Sequence, residues 1–294
     1  MASPQSLAVI AKYRLTRKKR IFTDPDRLRR SAEYNQSEVS QLPSWLADEH
    51  EVTGGDVRGH RCFTIRPREA GTSRHVLYLH GGAYVHQIES AHWRFLDRLV
   101  RASSTAVTAP LYPLAPAHQY DEALAMVWAA HNEAFAGVHP DDQVIMGDSA
   151  GGGLALFLAQ RRRALGLPQP RRLVLVSPWL DITATDPSMP ELDRHDPFLA
   201  IEGLREAGRL YAGGLDPHDP RVSPIYGDLE GLAPISVFTG TRDVLLADSR
   251  RLRALAAQRG VELDYEEYPG MFHGWILQDL PESHEATRRV VDLL

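Results

Sequence analysis

Gly147-Asp148-Ser149-Ala150-Gly151 follows the apolar run Val144-Ile145-Met146 and precedes Gly152-Gly153-Leu154-Ala155-Leu156-Phe157-Leu158-Ala159. The order reads as strand, tight turn and helix, the context in which a G-x-S-x-G pentapeptide forms a nucleophile elbow. A serine in so sharp a turn sits in strained backbone, and small neighbours are needed for the turn to close. The following helix aims its N-terminal amides and dipole at charge developing beside the serine. Glycine and serine are common, so the pentapeptide alone also fits a glycine-rich helix start without chemistry. The flanking strand and helix favour the nucleophile.

A second signature lies 69 residues upstream. His80-Gly81-Gly82-Ala83-Tyr84 follows the apolar run His75-Val76-Leu77-Tyr78-Leu79. It matches the HGGG-type loop whose backbone N–H groups complete an oxyanion hole. Successive glycines let the chain turn those N–H groups inward, where a side chain would block an approaching carbonyl. Ala83 stands where the usual pattern has a third glycine. A plain Gly-Gly turn is the alternative for this stretch alone, but the two signatures in this order reinforce each other.

From about Val76 to Trp275 the chain resembles the hormone-sensitive-lipase-like family of α/β-hydrolases, in its bacterial esterase branch. Tyr112-Pro113-Leu114-Ala115-Pro116 is similar to that family's Y-R-L-A-P segment, with Pro113 in place of arginine. Ser177-Pro178-Trp179-Leu180-Asp181 resembles the strand end that feeds a cap insertion. Ser223-Pro224 and Gly227-Asp228-Leu229 resemble the return from it. The resemblance implies an α/β fold with a mostly parallel central sheet flanked by helices and a helical cap.

It also implies a triad in the order serine, acid, histidine. Asp243, in a loop after the apolar run Ile235-Ser236-Val237-Phe238, is the acid this order favours. Asp248 is its rival, although a place in the first turn of the next helix suits a carboxylate for dipole reasons. His273, in Tyr268-Pro269-Gly270-Met271-Phe272-His273-Gly274-Trp275, has the position of the base, 30 residues past Asp243. Ser149, Asp243 and His273 are therefore the expected catalytic residues. Gly81, Gly82 and Ala150 are the expected oxyanion-hole donors.

Composition agrees with an enzyme of this kind. A chain of 294 residues, 43% hydrophobic, is long enough to bury a large core as one α/β unit. A net charge of −5 argues against nucleic acid as a partner. The lone Cys62 excludes an intrachain disulfide and reads as a small core residue. No segment reaches the ~18 apolar residues of a membrane span. Leu7-Ala8-Val9-Ile10-Ala11 is short and its basic residues follow it, unlike a secretory leader. A cytoplasmic location, without metal or organic cofactor and without stable membrane insertion, is the expectation. A homodimer is expected only by analogy with relatives.

Alternating patterns set the organisation. Strands are predicted at 75–79, 106–109, 143–146, 172–176, 234–238 and 263–268. The intervening helices are predicted at 91–102, 120–135, 151–165, 249–259 and 282–294. Strands near 50–66 should open the sheet in antiparallel fashion. Residues 1–47 read as two amphipathic cap helices, broken at Asp24-Pro25. The core occupies 48–182 and 223–294, interrupted by a cap insertion at 183–222, and a loop of that length is usually functional. Most of the insertion's apolar residues should pack internally. Phe198 and Leu199 are the better pocket candidates, and His86 and Trp93 are further residues that could face a substrate.

The run Lys12–Arg20 carries six cations in nine residues. It reads as the solvated face of a cap helix, with an anionic membrane surface as the sharper alternative. The expected activity is hydrolysis of short-to-medium acyl esters of small molecules. Lactone hydrolysis, deacetylation and other acyl transfers use the same residues. A non-catalytic receptor on the same scaffold is the alternative of a different class; the presence of Ser149, Asp243 and His273 weighs against it.

Overall fold

Strands with helices on both faces should carry near-continuous apolar runs, and the strands between His75 and Arg242 do so at their centres, where they are buried on successive residues. The computed structural model describes residues 2–37, 42–69 and 71–294. Residues 38–41, inside the expected N-terminal segment, lie outside the described residues. The chain begins with α1 (Pro4–Leu15), α2 (Pro25–Ser37) and α3 (Ser44–Glu49), followed by β1 (Glu51–Val57), β2 (His60–Arg66) and β3 (His75–Leu79). Then come α4 (Ser90–Ser103), β4 (Ala106–Pro110), α5 (Tyr120–Ala134), β5 (Gln143–Asp148), α6 (Ala150–Ala164) and β6 (Arg172–Val176). The last part holds α7 (Met189–His195), α8 (Ile201–Ala212), β7 (Ile235–Arg242), α9 (Leu246–Arg259), β8 (Leu263–Phe272) and α10 (Pro281–Leu293).

The strands form one eight-stranded sheet in the order β1-β2-β4-β3-β5-β6-β7-β8. β2 pairs antiparallel with both β1 and β4, and every later pairing is parallel. Alternate side chains separate two cores, as period-two geometry requires. Leu77, Leu79, Ile145, Leu173, Leu175 and Val237 join the core that holds α5, α6, α8 and α9. Val76, Tyr78, Val144, Met146, Val174 and Phe238 join the one that holds α4 and α10.

Four strands run further than their apolar patterns predict, β4 by one residue to Pro110 and three others by more. β5 ends at Asp148, β7 at Arg242 and β8 at Phe272, so Ser149, Asp243 and His273 each follow directly on a strand's carboxyl end. In the β7–β8 ladder Arg242 pairs with Phe272, which brings the next residues on each strand together. Open α/β sheets collect their ligand sites at this edge.

The N-terminal segment is less regular than two helices. A short 3-10 turn, Lys18–Ile21, sits between α1 and α2, and α3 is an additional helix before the sheet. Asp24 starts α2 as expected, its Oδ1 accepting from the N–H groups of Asp26 and Arg27 at 3.0 and 3.3 Å. The segment locks onto residues 183–222, which lie between β6 and β7. Gly203 donates to the Phe22 carbonyl at 2.7 Å, and a Cβ on Gly203 would lie 2.5 Å from Phe22 Cα. Arg29 and Glu206 add an ion pair at 2.6 Å, and Lys19 pairs with Asp193 at 2.9 Å.

Candidate active site

Ser149 has φ 52° and ψ −121°, a left-handed strain held by the strand before it and the helix after it. A Cβ on Gly147 would stand 2.2 Å from the Gly151 carbonyl oxygen, and one on Gly151 only 1.9 Å from the Leu79 carbonyl oxygen. Both glycines are therefore dictated by sterics. The elbow is pinned to β6 and the chain beyond it: Ser149 N–H donates to Val176 O, and Trp179 N–H to Ser149 O, both at 2.9 Å.

His273 bridges the two other expected residues. Its Nε2 lies 3.0 Å from Ser149 Oγ and its Nδ1 3.0 Å from Asp243 Oδ2. Asp243 is fully buried, and its Oδ1 accepts from Leu245 N–H at 2.9 Å, which fixes the carboxylate plane. Burial disfavours an imidazolium at His273, but the charge and hydrogen bond of Asp243, with smaller help from Asp196 and Asp148, lift its pKa above the ordinary value. The base form must be neutral, so lowering the pH through that raised pKa removes it. We expect kcat/KM for a neutral ester to fall on an acid limb centred above pH 6.5, the ordinary histidine value. A pH profile with its acid limb at or below that value would contradict the arrangement. Asp248, the rival acid, does not reach the histidine. It is buried in the first turn of α9, and its Oδ2 accepts from the N–H groups of Leu180 and Asp181 at 2.7 and 3.1 Å.

The loop after β3 corrects one expected donor. Gly81 N–H donates to Asp148 Oδ1 at 2.9 Å, so it is already committed within the protein. Its missing side chain serves the same contact, since a Cβ there would lie 2.3 Å from Asp148 Oδ2. Gly82 (φ 122°) and Ala83 (φ 54°) line the cavity beside Ser149 with backbone of positive φ. Among the described residues no acceptor meets the N–H of Gly82, Ala83 or Ala150. Ala83 N–H is therefore open where Gly81 N–H, the expected donor, is not.

Asp148, the variable residue of the pentapeptide, organises this loop and was not legible as such in the sequence. It accepts from Tyr78 Oη at 2.5 Å as well as from Gly81, and His92 Nε2 lies 3.5 Å away. Burial works against charge on both partners, yet their attraction prevails. Asp148 is held below the usual carboxylate range and His92 above the usual histidine one. Tyr112 braces the loop from behind, donating to His80 O at 2.7 Å with its ring stacked on His80 at 4.3 Å. The Pro113 departure leaves this support intact.

A cavity of about 310 Å³ opens on Ser149 and His273. Phe198, Leu199 and His86 line it as expected, together with Tyr13, Phe22 and Lys18 from the N-terminal segment. Phe198 stacks on the His273 ring at 6.0 Å and 10°. His86 Nε2 and Ser31 Oγ, both lining the cavity, lie 2.9 Å apart. Trp93 is not at the cavity; it is buried edge-on against Phe63. Cys62 is half-buried on β2 rather than fully in the core, and burial pushes its thiol up to about 12. The basic run is split between α1 and the 3-10 turn, so it forms no single helix face. Lys19 is spent on Asp193, and Lys18 lies over Phe198 at 5.6 Å. Among the described residues no helix is long and apolar enough to cross a membrane, and no cluster of side chains is arranged to hold a metal.

Comparison with known proteins places the chain among relatives. A family model described as an alpha/beta hydrolase fold matches residues 76–277. An esterase of Acinetobacter venetianus is 33% identical over 244 residues, 80% of each chain. An acetyl-hydrolase of Streptomyces hygroscopicus is 35% identical over 243 residues, again 80% of each. The crystal structure of an esterase from the bacterial hormone-sensitive lipase family superposes with a TM-score of 0.85 at 31% identity, covering 99% of this chain and 97% of that one.

Proposed function

Because the chain belongs to the hormone-sensitive-lipase-like family of α/β-hydrolases and is a carboxylic ester hydrolase, we propose that Ser149 attacks the ester carbonyl of short-to-medium acyl substrates. His273 Nε2 takes the Ser149 proton as the C–O bond forms, and Asp243 holds the ring's tautomer and balances the imidazolium. The oxyanion is received by the N–H groups of Gly82, Ala83 and Ala150, each such donor being worth about 10²–10³ in turnover. His273 then protonates the departing alcohol, leaving an acyl group on Ser149 Oγ. Water, deprotonated by the same nitrogen, releases the acid and restores the serine.

The observation that carries this reading is the line of 3.0 Å contacts from Ser149 through His273 to Asp243, opening on a cavity lined by Gly82 and Ala83. The size of that cavity supports the acyl range. At about 310 Å³, closed off by Phe198, Leu199, Phe22 and Tyr13, it sits at the small end of ligand pockets. Helices α1, α2, α7 and α8 act in this reading as a cap that supplies the acyl wall.

Hydrolysis of p-nitrophenyl esters from acetate to palmitate tests it. Turnover should peak at short chains and fall steeply beyond the medium ones. A preference for acyl chains longer than about twelve carbons, more than a pocket of this class encloses, would refute the substrate range. No turnover on any ester by folded protein would refute the activity itself.

A further inference from the structure

We propose that Asp196, borne by the 183–222 insertion, is a positioning residue for hydrolysis: one of its oxygens fixes the loop of the acid Asp243, and the other fixes the aromatic wall stacked on the base His273. The inference rests on the reading of His273 and Asp243 as base and acid.

Asp196 ends α7, 47 residues before Asp243, and its side chain is buried. Oδ2 accepts from Val244 N–H at 3.0 Å. Val244 is the residue between Asp243 and Leu245, whose own N–H is taken by Asp243 Oδ1. Two carboxylates thus hold the two inner amides of the acid loop, one from within the loop and one from the insertion. Val244 is fully buried, so without Asp196 its N–H would face no acceptor. Oδ1 accepts from Phe198 N–H at 2.7 Å and Leu199 N–H at 2.9 Å, the two residues that wall the cavity from this side. Phe198 in turn lies parallel to the His273 ring. His273 is accordingly gripped on its acid side and on its face by groups that share one anchor. A base displaced by about 1 Å can cost about 10²-fold in rate, so an anchor at this point acts on the chemistry as well as on the fold.

Charge makes the role measurable. Asp196 faces Asp243 and His273; Asp148 also acts on His273, and Lys19 donates to the Asp196 backbone carbonyl at 3.0 Å. Lys18 lies on the Phe198 ring, at the side of the cavity. Burial and the neighbouring Asp243 charge push the Asp196 carboxyl up to about 7, so it carries its charge above that pH. That charge helps to hold the imidazolium.

The test compares wild type with Asp196→Asn and Asp196→Ala on p-nitrophenyl acetate and butyrate. The amide keeps one acceptor for the wall but sets an NH2 group against Val244 N–H, donor facing donor. We expect kcat to fall by about 10–10²-fold in Asp196→Asn, with KM for butyrate rising in Asp196→Ala as the wall loosens. The acid limb of the Asp196→Asn profile should move to lower pH, because His273 loses a neighbouring anion. A folded Asp196→Asn enzyme with kcat within twofold of wild type overturns the proposal. So does a loss of rate with the acid limb unmoved, since that marks a merely structural carboxylate. Ester turnover surviving in Ser149→Ala or His273→Ala would instead overturn the underlying assignment, so the two failures are read on different variants.

Discussion

Ser149→Ala is expected to reduce kcat on p-nitrophenyl butyrate by about 10⁶-fold, the scale on which removal of a triad serine acts. The expectation follows from a single atom. Among the described residues Ser149 Oγ is the only nucleophile within hydrogen-bond reach of His273 Nε2, at 3.0 Å, and alanine deletes it without otherwise changing the turn. Both residues carry a Cβ, so the strain at φ 52° is the same in each and the elbow should stay folded. The N–H groups of Gly82, Ala83 and Ala150 remain, and such a hole alone leaves a residual of about 10³–10⁴ over water. Steady-state kinetics beside a urea melt makes the check. A variant that melts like wild type and keeps more than about 1% of its turnover would show that the nucleophile lies elsewhere, because a triad serine leaves far less.

Gly151→Ala should be the most damaging single methyl group in the chain. The added Cβ would stand 1.9 Å from Leu79 O, 2.5 Å from Leu79 C and 2.7 Å from His80 O, all backbone atoms that no rotamer can move aside. Relief requires α6 to withdraw from the end of β3, and the loop bearing Gly81, Gly82 and Ala83 starts there. Overpacking of cores typically costs about 1–3 kcal/mol, and a backbone clash this short belongs at or above the top of that range. Activity should fall with stability, because the donors shift relative to Ser149. Gly55→Ala is the matched control: its Cβ would meet nothing within 4 Å, on the edge strand β1. It should stay within about 0.5 kcal/mol of wild type. Urea denaturation of both variants decides; equal midpoints would mean that the contact is relieved at no cost.

Much of this was legible before any coordinates. The strand–turn–helix context of residues 144–159 specified an elbow, and the structure shows why its glycines could be nothing else. The alternation of short apolar runs with helical patterns located every strand of the parallel sheet, because a strand covered on both faces must be apolar throughout. Strand ends were less visible. β7 and β8 continue through Thr239–Arg242 and Pro269–Phe272, where polar residues, glycine and proline interrupt the apolar pattern while the ladder persists. The N-terminal 3-10 turn leaves no mark in the sequence for a related reason. Arg17 adopts a left-handed conformation that nothing in a run of cations announces.

The sequence by itself determined the order of the parallel strands with their intervening helices and the elbow around Ser149. These are encoded locally, in residues adjacent along the chain. Tertiary structure alone decided which amides of the loop after β3 stay uncommitted and which carboxylate meets His273. Gly81 lost its donor to Asp148, 67 residues away; Asp248 turned to the backbone of Leu180; Asp196 came to Val244 across 48 residues. A hydrogen bond depends on position and direction within a few tenths of an ångström. Those are set only when distant segments pack, and no spacing in one dimension records them.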